Sequence, residues 1–322
     1  MVSLGAAAAL AVASVASLLV GHGSLSDDTL RGHLLALRGG RTACAALAGA
    51  ALAVAGVVAQ GLFRNPLADP GVIGTTAGAV CGGQVLLIAL AAGSGSLPAW
   101  VAPDAALPLG CVLGALAALA VVLVVASRLR DPTAVLLAGV LVGSLFISVG
   151  AFLTSVAQES FELSRALMAF TLGGVEGSGW HHAALAAPLI AAGLWGAWRW
   201  SPHLDALLAG EDEARSLGVP VGRTRTWCVV WCGWLTAAAT AMAGAIGFVG
   251  LVAPHLVRRL AGASHRNLLP AAACAGAAML VGCDTLARVI PARGVVPLGV
   301  VTGLVGAPLF IWLLIRGGRR EQ

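Results

Sequence analysis

The groups able to do chemistry in this chain are few and poorly spaced for catalysis. All 19 basic residues are arginine and none is lysine. A phosphate-gripping P-loop lysine and a Schiff-base lysine are therefore both excluded. If ATP drives this protein, another chain hydrolyses it. No H-E-x-x-H occurs, and Gly177-Ser178-Gly179 falls in a loop without the strand–turn–helix context of a nucleophile elbow. Seven cysteines (Cys44, Cys81, Cys111, Cys228, Cys232, Cys274 and Cys283) sit within or beside apolar stretches. Their number is odd and no C-x-x-C occurs, so they read as small buried hydrophobes. His181-His182 reads as an interfacial pair and His255 as structural. Asp284 and Arg288 stand one helical turn apart, the spacing of an i,i+4 ion pair. The arginines are scattered over loops, a pattern that points away from nucleic acid. The expectation is a chain with no catalytic residue, no metal site and no cofactor of its own.

Positioning even these groups falls to apolar helices. Of 322 residues, 59% are hydrophobic and 10% charged, and the mean hydropathy is +0.93. A soluble domain carries about a quarter charged residues, so the surface suits lipid and not water. A spanning helix needs roughly 20 mostly apolar residues. Runs of that kind lie at about Leu4–Gly21, Thr42–Phe63, Val72–Ala92, Ala105–Ser127 and Ala134–Val156. They continue at about Trp180–Trp200, Trp227–Ala245, Leu268–Ile290 and Val296–Ile315. Gly247–Leu260 is shorter, either a span whose start is masked by glycines or a half-helix. The first run lacks a basic leader and reads as a span, not a secretory signal. The fold class is therefore an all-α polytopic transmembrane bundle of about ten spans, one domain over residues 1–322. Its 43 glycines suit close packing between helices.

Thirteen arginines fall in loops on the side of the amino terminus and six on the other. The positive-inside rule then sets both termini in the cytoplasm, with a multi-pass chain in the cytoplasmic membrane. Three of the six outer arginines, Arg31, Arg38 and Arg41, crowd the first outer loop. Two polar segments are large. The outer one, from Gln158 to Gly179, holds a short helix at Phe161–Phe170, and the inner one spans residues 201–225. In the inner segment Leu204, Leu207 and Leu208 form a one-sided stripe on a short helix. Gly210 breaks it, Glu211-Asp212-Glu213 opens a second helix, and Gly218 can close that helix. Two short amphipathic helices suit docking into a groove on a soluble partner. Between the second and third spans, Arg64-Asn65-Pro66-Leu67-Ala68-Asp69-Pro70-Gly71 fixes a rigid turn.

These residues, with Leu136-Leu137-Ala138-Gly139-Val140, Glu213-Ala214-Arg215-Ser216-Leu217-Gly218-Val219 and the run from Gly244 to Arg258, resemble the permease family that imports iron-siderophores, haem and cobalamin. Asp284-Thr-Leu-Ala-Arg288 and the run from Pro297 to Pro308 extend the resemblance over nearly the whole chain. It implies two permease subunits around one pathway, two cytoplasmic ATPase subunits that hold ATP and Mg, and an extracytoplasmic binding protein. It places the cytoplasmic gate at Asn65, Pro66 and Leu67, near Pro132 and Thr133. It assigns ATPase coupling to Leu204, Leu207, Leu208, Glu213, Ala214, Leu217 and Gly218. It assigns binding-protein docking to Arg38, Arg41 and Arg288. Two positions depart from the family: Gly39-Gly40 replaces a stiff Leu-Pro, and Val295 replaces an acidic residue.

An ion-gradient-driven secondary transporter is the rival reading, but no mid-span acidic pair is present for coupling. An intramembrane enzyme lacks its reactive set. Iron-siderophore is the expected cargo as the broadest class in the family, with haem and cobalamin beside it.

Overall fold

The computed structural model describes residues 2–21, 28–93, 103–128, 132–157, 160–262, 264–290 and 296–318. Twelve helices occupy them: α1 Val2–Leu19, α2 Asp28–Leu62, α3 Thr75–Ala91, α4 Pro103–Arg128, α5 Pro132–Val156, α6 Phe161–Leu172, α7 Trp180–Ala209, α8 Glu211–Ser216, α9 Val221–Ala243, α10 Val249–Ala261, α11 His265–Val289 and α12 Leu298–Gly318. A single 3-10 turn, Pro70–Ile73, precedes α3. Six helices are long and apolar enough to cross a membrane. Beside them among the described residues lie three shorter apolar helices, Thr75–Ala91, Val249–Arg258 and Leu298–Leu313, and the 30-residue α7, so the expected count of about ten is approximate.

The core is built around α2, whose residues 51–62 are all buried. It packs on α7, α9, α10 and α11. Small side chains make this possible: a Cβ at Gly56 would collide with the Gly250 carbonyl of α10, and one at Gly49 with the Gly276 carbonyl of α11. Such backbone approach is how helices associate in lipid, where apolar burial gives little driving force between them. By contrast, α1 and α5 present long exposed faces, with Leu137, Leu141, Leu145 and Phe152 of α5 all open.

Two boundaries, those of α2 and α7, differ from the sequence expectation. α2 is 35 residues long, about 52 Å at the helical rise, and exceeds a hydrocarbon core of about 30 Å. Arg31, Arg38 and Arg41 therefore ride on its amino-terminal extension instead of in a loop. α7 runs unbroken through Ser201 to Ala209, so the first of the two short inner helices is the tail of a span. α10 is a true short helix of 13 residues, about 20 Å long. The segment before it is irregular, with Gly244 and Phe248 in the left-handed region at φ 67° and 68°. Buried backbone bonds satisfy it: Gly174 N–H donates to the Ala243 carbonyl at 2.8 Å and Val252 N–H to Phe248 at 2.8 Å. Irregular backbone at membrane depth requires such internal partners. Asp131, Arg130, Arg293, Val295, Arg319 and Arg320 lie outside the described residues, as do residues 97–102 of the expected outer loop.

Candidate functional site

A cavity of about 550 Å³ opens between α3, α5 and the outer helix α6. Its wall is mostly glycine, alanine and aliphatic, with Thr76, Gln84, Ser144, Thr154 and Thr171 as polar points and Asp69 at one end. Gln84 is 2% exposed. Its Nε2 donates to Thr171 Oγ1 at 3.0 Å and to Thr154 Oγ1 at 3.3 Å, joining all three helices. Each threonine hydroxyl donates back one turn, to the carbonyls of Leu167 and Gly150, and so is free to accept. Sequence reasoning passed over Gln84; the available signal was an amide in the middle of an apolar run.

The Asn65-Pro66-Leu67 turn is held from both sides. Asn65 Oδ1 accepts from Leu67 N–H at 2.9 Å, an Asx turn, while Asn65 N–H donates to the Gln60 carbonyl at 3.1 Å. Arg64 adopts φ 48°, an uncommon conformation for a side-chain-bearing residue. Leu67 projects outward, 47% exposed, and Pro66 is exposed beside it. Asp69 caps the 3-10 turn by accepting from Gly71 N–H at 2.7 Å. Burial raises the pKa of Asp69, partly offset by that bond. The 3-10 turn packs on α5. Pro132 is the first residue of α5, where its missing N–H costs no helical bond, and Thr133 follows in the first turn.

In the inner segment the expected coupling residues divide. Leu204 and Leu207 are buried at 0% and 4%, and Ala214 packs with Leu207 and Val221 in a small core. Leu207 and Ala214 hold α8 against the tail of α7, while Leu204 packs into the main core. Leu208, Glu213, Leu217 and Gly218 are exposed. Gly218, at φ 79°, ends α8 through bonds from Gly218 N–H to Arg215 (2.9 Å) and Val219 N–H to Ala214 (2.9 Å). Arg215 pairs with Asp212 at 2.6 Å and Glu211 at 3.1 Å, and Arg225 closes on Glu211.

The outer arginines converge, but inward. Asp284 is fully buried and receives Arg41 at 2.6 Å and Arg288 at 2.9 Å. Arg288 also donates to the Ser17 carbonyl at 3.1 Å and to the Ser17 hydroxyl, and Arg38 donates to the Leu18 carbonyl at 2.9 Å. Arg38 is 6% exposed, so the cluster is no free rim. It lines a cavity of about 330 Å³ together with Glu176. Burial raises the pKa of Glu176; Arg41 works against that and Asp284 with it. The i,i+4 pair read from sequence is present, and Arg41 enlarges it to a triad. Gly39-Gly40 has a packing role here. A Cβ at Gly39 would come 2.9 Å from the Trp180 ring, and one at Gly40 2.6 Å from the Trp180 nitrogen. The two glycines let α2 touch the start of α7. His182 Nδ1 accepts from Gly179 N–H at 3.3 Å, and the His255 ring meets Phe310 edge-on.

This architecture has known relatives. The FecCD transport family model matches residues 1–316. The vitamin B12 import system permease proteins BtuC of Salmonella typhimurium (strain LT2) and of Citrobacter koseri are each 42% identical over 281 residues, covering 87% of this chain and 82% of theirs. A metal-chelate type ABC transporter solved in an inward-facing conformation superposes with a TM-score of 0.86 at 30% identity, covering 98% of both chains. PsaBC from Streptococcus pneumoniae, solved with a Fab, shares the fold at a TM-score of 0.57 and 19% identity, covering 86% of this chain and 90% of that one. The chain belongs to the FecCD transport family, as a membrane permease of the ABC-importer type.

Proposed function

We propose that this chain imports a large metal chelate through the cavity between α3, α5 and α6, with a corrinoid as the first candidate cargo. The observation that carries the reading is the lining of that cavity: no basic residue, one carboxylate at an end, and otherwise small, apolar or weakly polar groups. A bulky solute can pass such a wall without being gripped. Iron-siderophore is the broadest expectation from sequence, but relatives named for vitamin B12 import at 42% identity favour cobalamin over it. A second permease copy meets the open face of α5, two ATPase subunits engage Leu208, Glu213, Leu217 and Gly218, and both termini are cytoplasmic. Asn65, Pro66 and Leu67 form the inner gate with Pro132 and Thr133. A binding protein presents carboxylates to the cavity beside Arg38, Arg41 and Arg288, whose guanidiniums already bond within the chain and act on it through their charge.

Reconstitution with the cognate ATPase and binding protein tests the reading. Labelled cyanocobalamin, a ferric hydroxamate and haemin are offered in parallel, with and without ATP. The expected result is ATP-dependent accumulation of cyanocobalamin. Accumulation of the ferric hydroxamate or haemin alone transfers the cargo assignment. Uptake that follows an imposed ion gradient without the ATPase overturns the importer reading.

A further inference from the structure

Asp205 lies on the tail of α7, between buried Leu204 and buried Leu207. Its carboxylate reaches across to the start of α11. Oδ1 accepts from the His265 backbone N–H at 2.8 Å and meets His265 Nδ1 at 2.6 Å, while Oδ2 accepts from Ser264 Oγ at 3.3 Å. One side chain thus caps α11 from outside it, satisfying an N–H that the helix leaves without a partner. His265 is fully buried, and its far nitrogen, Nε2, has no hydrogen-bond partner among the described residues. That tip is pressed against α2: a Cβ at Gly61 would come 2.5 Å from it. A fully buried polar ring with one nitrogen unsatisfied costs stability, so packing alone is a poor reason for a histidine here.

Gly61 is where the gate turn is fastened. Arg64 N–H donates to the Gly61 carbonyl at 3.3 Å and Asn65 N–H to the adjacent Gln60 carbonyl at 3.1 Å. Gln60 is itself fixed, accepting from Arg258 at 3.2 Å and donating to the Leu251 carbonyl at 3.4 Å. A continuous set of contacts therefore runs from the coupling segment, through Asp205 and His265, to the backbone that holds Asn65. None of it depends on the exposed loops.

We propose that the Asp205–His265 pair is the rigid link that transmits movement of the α7 tail to the gate turn at Asn65–Leu67, so that both act as positioning residues for transport. The proposal rests on the importer reading, in which Leu208, Glu213, Leu217 and Gly218 contact the ATPase and the turn is a gate. A shift of α7 carries the carboxylate; His265 follows because its backbone N–H and its ring Nδ1 both bond to one oxygen; α2 follows because no space separates the ring from Gly61. Coupling of this kind requires a contiguous element that both ends bias, and its warrant is a measured coupling, not adjacency.

The test uses the reconstituted permease–ATPase complex in a background without native cysteines, carrying Leu67→Cys. The readout is the rate at which an impermeant maleimide, applied from the ATPase side, modifies that cysteine without nucleotide and in the ATP–vanadate state. The parent is expected to show a nucleotide-dependent change of about fivefold or more, the lower range of allosteric couplings. In Asp205→Ala and in His265→Ala that change should shrink to about twofold or less, while ATP hydrolysis and ATPase retention persist. Asp205→Asn, which keeps an oxygen acceptor, should preserve most of it. A parent without any nucleotide response defeats the gate reading and the link with it. A responsive parent whose alanine variants respond equally defeats the link alone, and failure of both alanine variants to assemble assigns the pair a purely structural role and also overturns it.

Discussion

Arg41 on α2 and Asp284 on α11, 243 residues apart, are joined by two guanidinium–carboxylate bonds of 2.6 and 2.9 Å to a fully buried carboxylate oxygen. Arg288 takes the other oxygen at 2.9 Å. A single acid thus holds two cations at one end of the bundle.

Removing the acid leaves two guanidiniums buried without their counter-charge. Asp284→Ala is expected to destabilise the protein by about 3–5 kcal/mol, the usual cost of breaking a buried pair by one partner. Thermal unfolding in detergent checks this. A loss under about 1 kcal/mol would mean that water reaches the cluster and screens it.

The docking proposal needs a variant that leaves this triad intact, which Arg41→Glu would not, because it sets a second carboxylate against Asp284. Arg38→Gln is the better choice, since Arg38 bonds to the Leu18 and Leu19 carbonyls. It is expected to slow association of the binding protein roughly tenfold, with wild-type association also falling as salt rises. Surface-plasmon measurements over a salt series decide it. Association that ignores both salt and the substitution removes the arginines from the docking surface.

Asp69 sets a pH dependence. Burial raises its pKa and the Gly71 bond opposes. A carboxyl whose folded pKa exceeds its unfolded value stabilises the fold fully in acid, below the ordinary carboxylate range. That contribution is lost as pH rises through the raised value. Stability should therefore decline with rising pH across this window, and Asp69→Asn should flatten the decline while still capping the turn. Relative to Asp69→Asn, Asp69→Ala should cost about 1 kcal/mol at every pH through loss of the cap. Thermal melts at a series of pH values distinguish the three.

Gate and topology share one reporter strategy. Ser201 is buried and unsuited to labelling, whereas Leu217 is 71% exposed. A cysteine at Leu217 should react with an impermeant reagent only in inside-out vesicles; reaction in intact cells would reverse the orientation.

Replacing Asn65 by Ala removes the bond to Leu67 N–H and should lower cyanocobalamin uptake per ATP hydrolysed by about fivefold or more, in the range of allosteric couplings. Unchanged stoichiometry would make the turn scaffold.

Sequence by itself determined the class of this protein, because composition and apolar run length are local properties that the bilayer reads directly. The succession of apolar helices, the short α6, the helix closed by Gly218 and the turn at Asn65 were all legible from periodicity and turn chemistry. So was the pairing of Asp284 with Arg288, since one helical turn separates them. What remained hidden depends on contacts between distant segments. Leu207 and Leu208 look alike in sequence, and only the packing of α8 on the tail of α7 buries one and exposes the other. Gly39-Gly40 looks like a lost stiff turn until Trp180 is seen against it. Arg41 and Asp284, like Asp205 and His265, meet because helices with no local reason to pair are brought together by small residues on their faces. Tertiary structure decided these partners, since a buried charge or ring takes its role from what surrounds it and not from its neighbours in the chain.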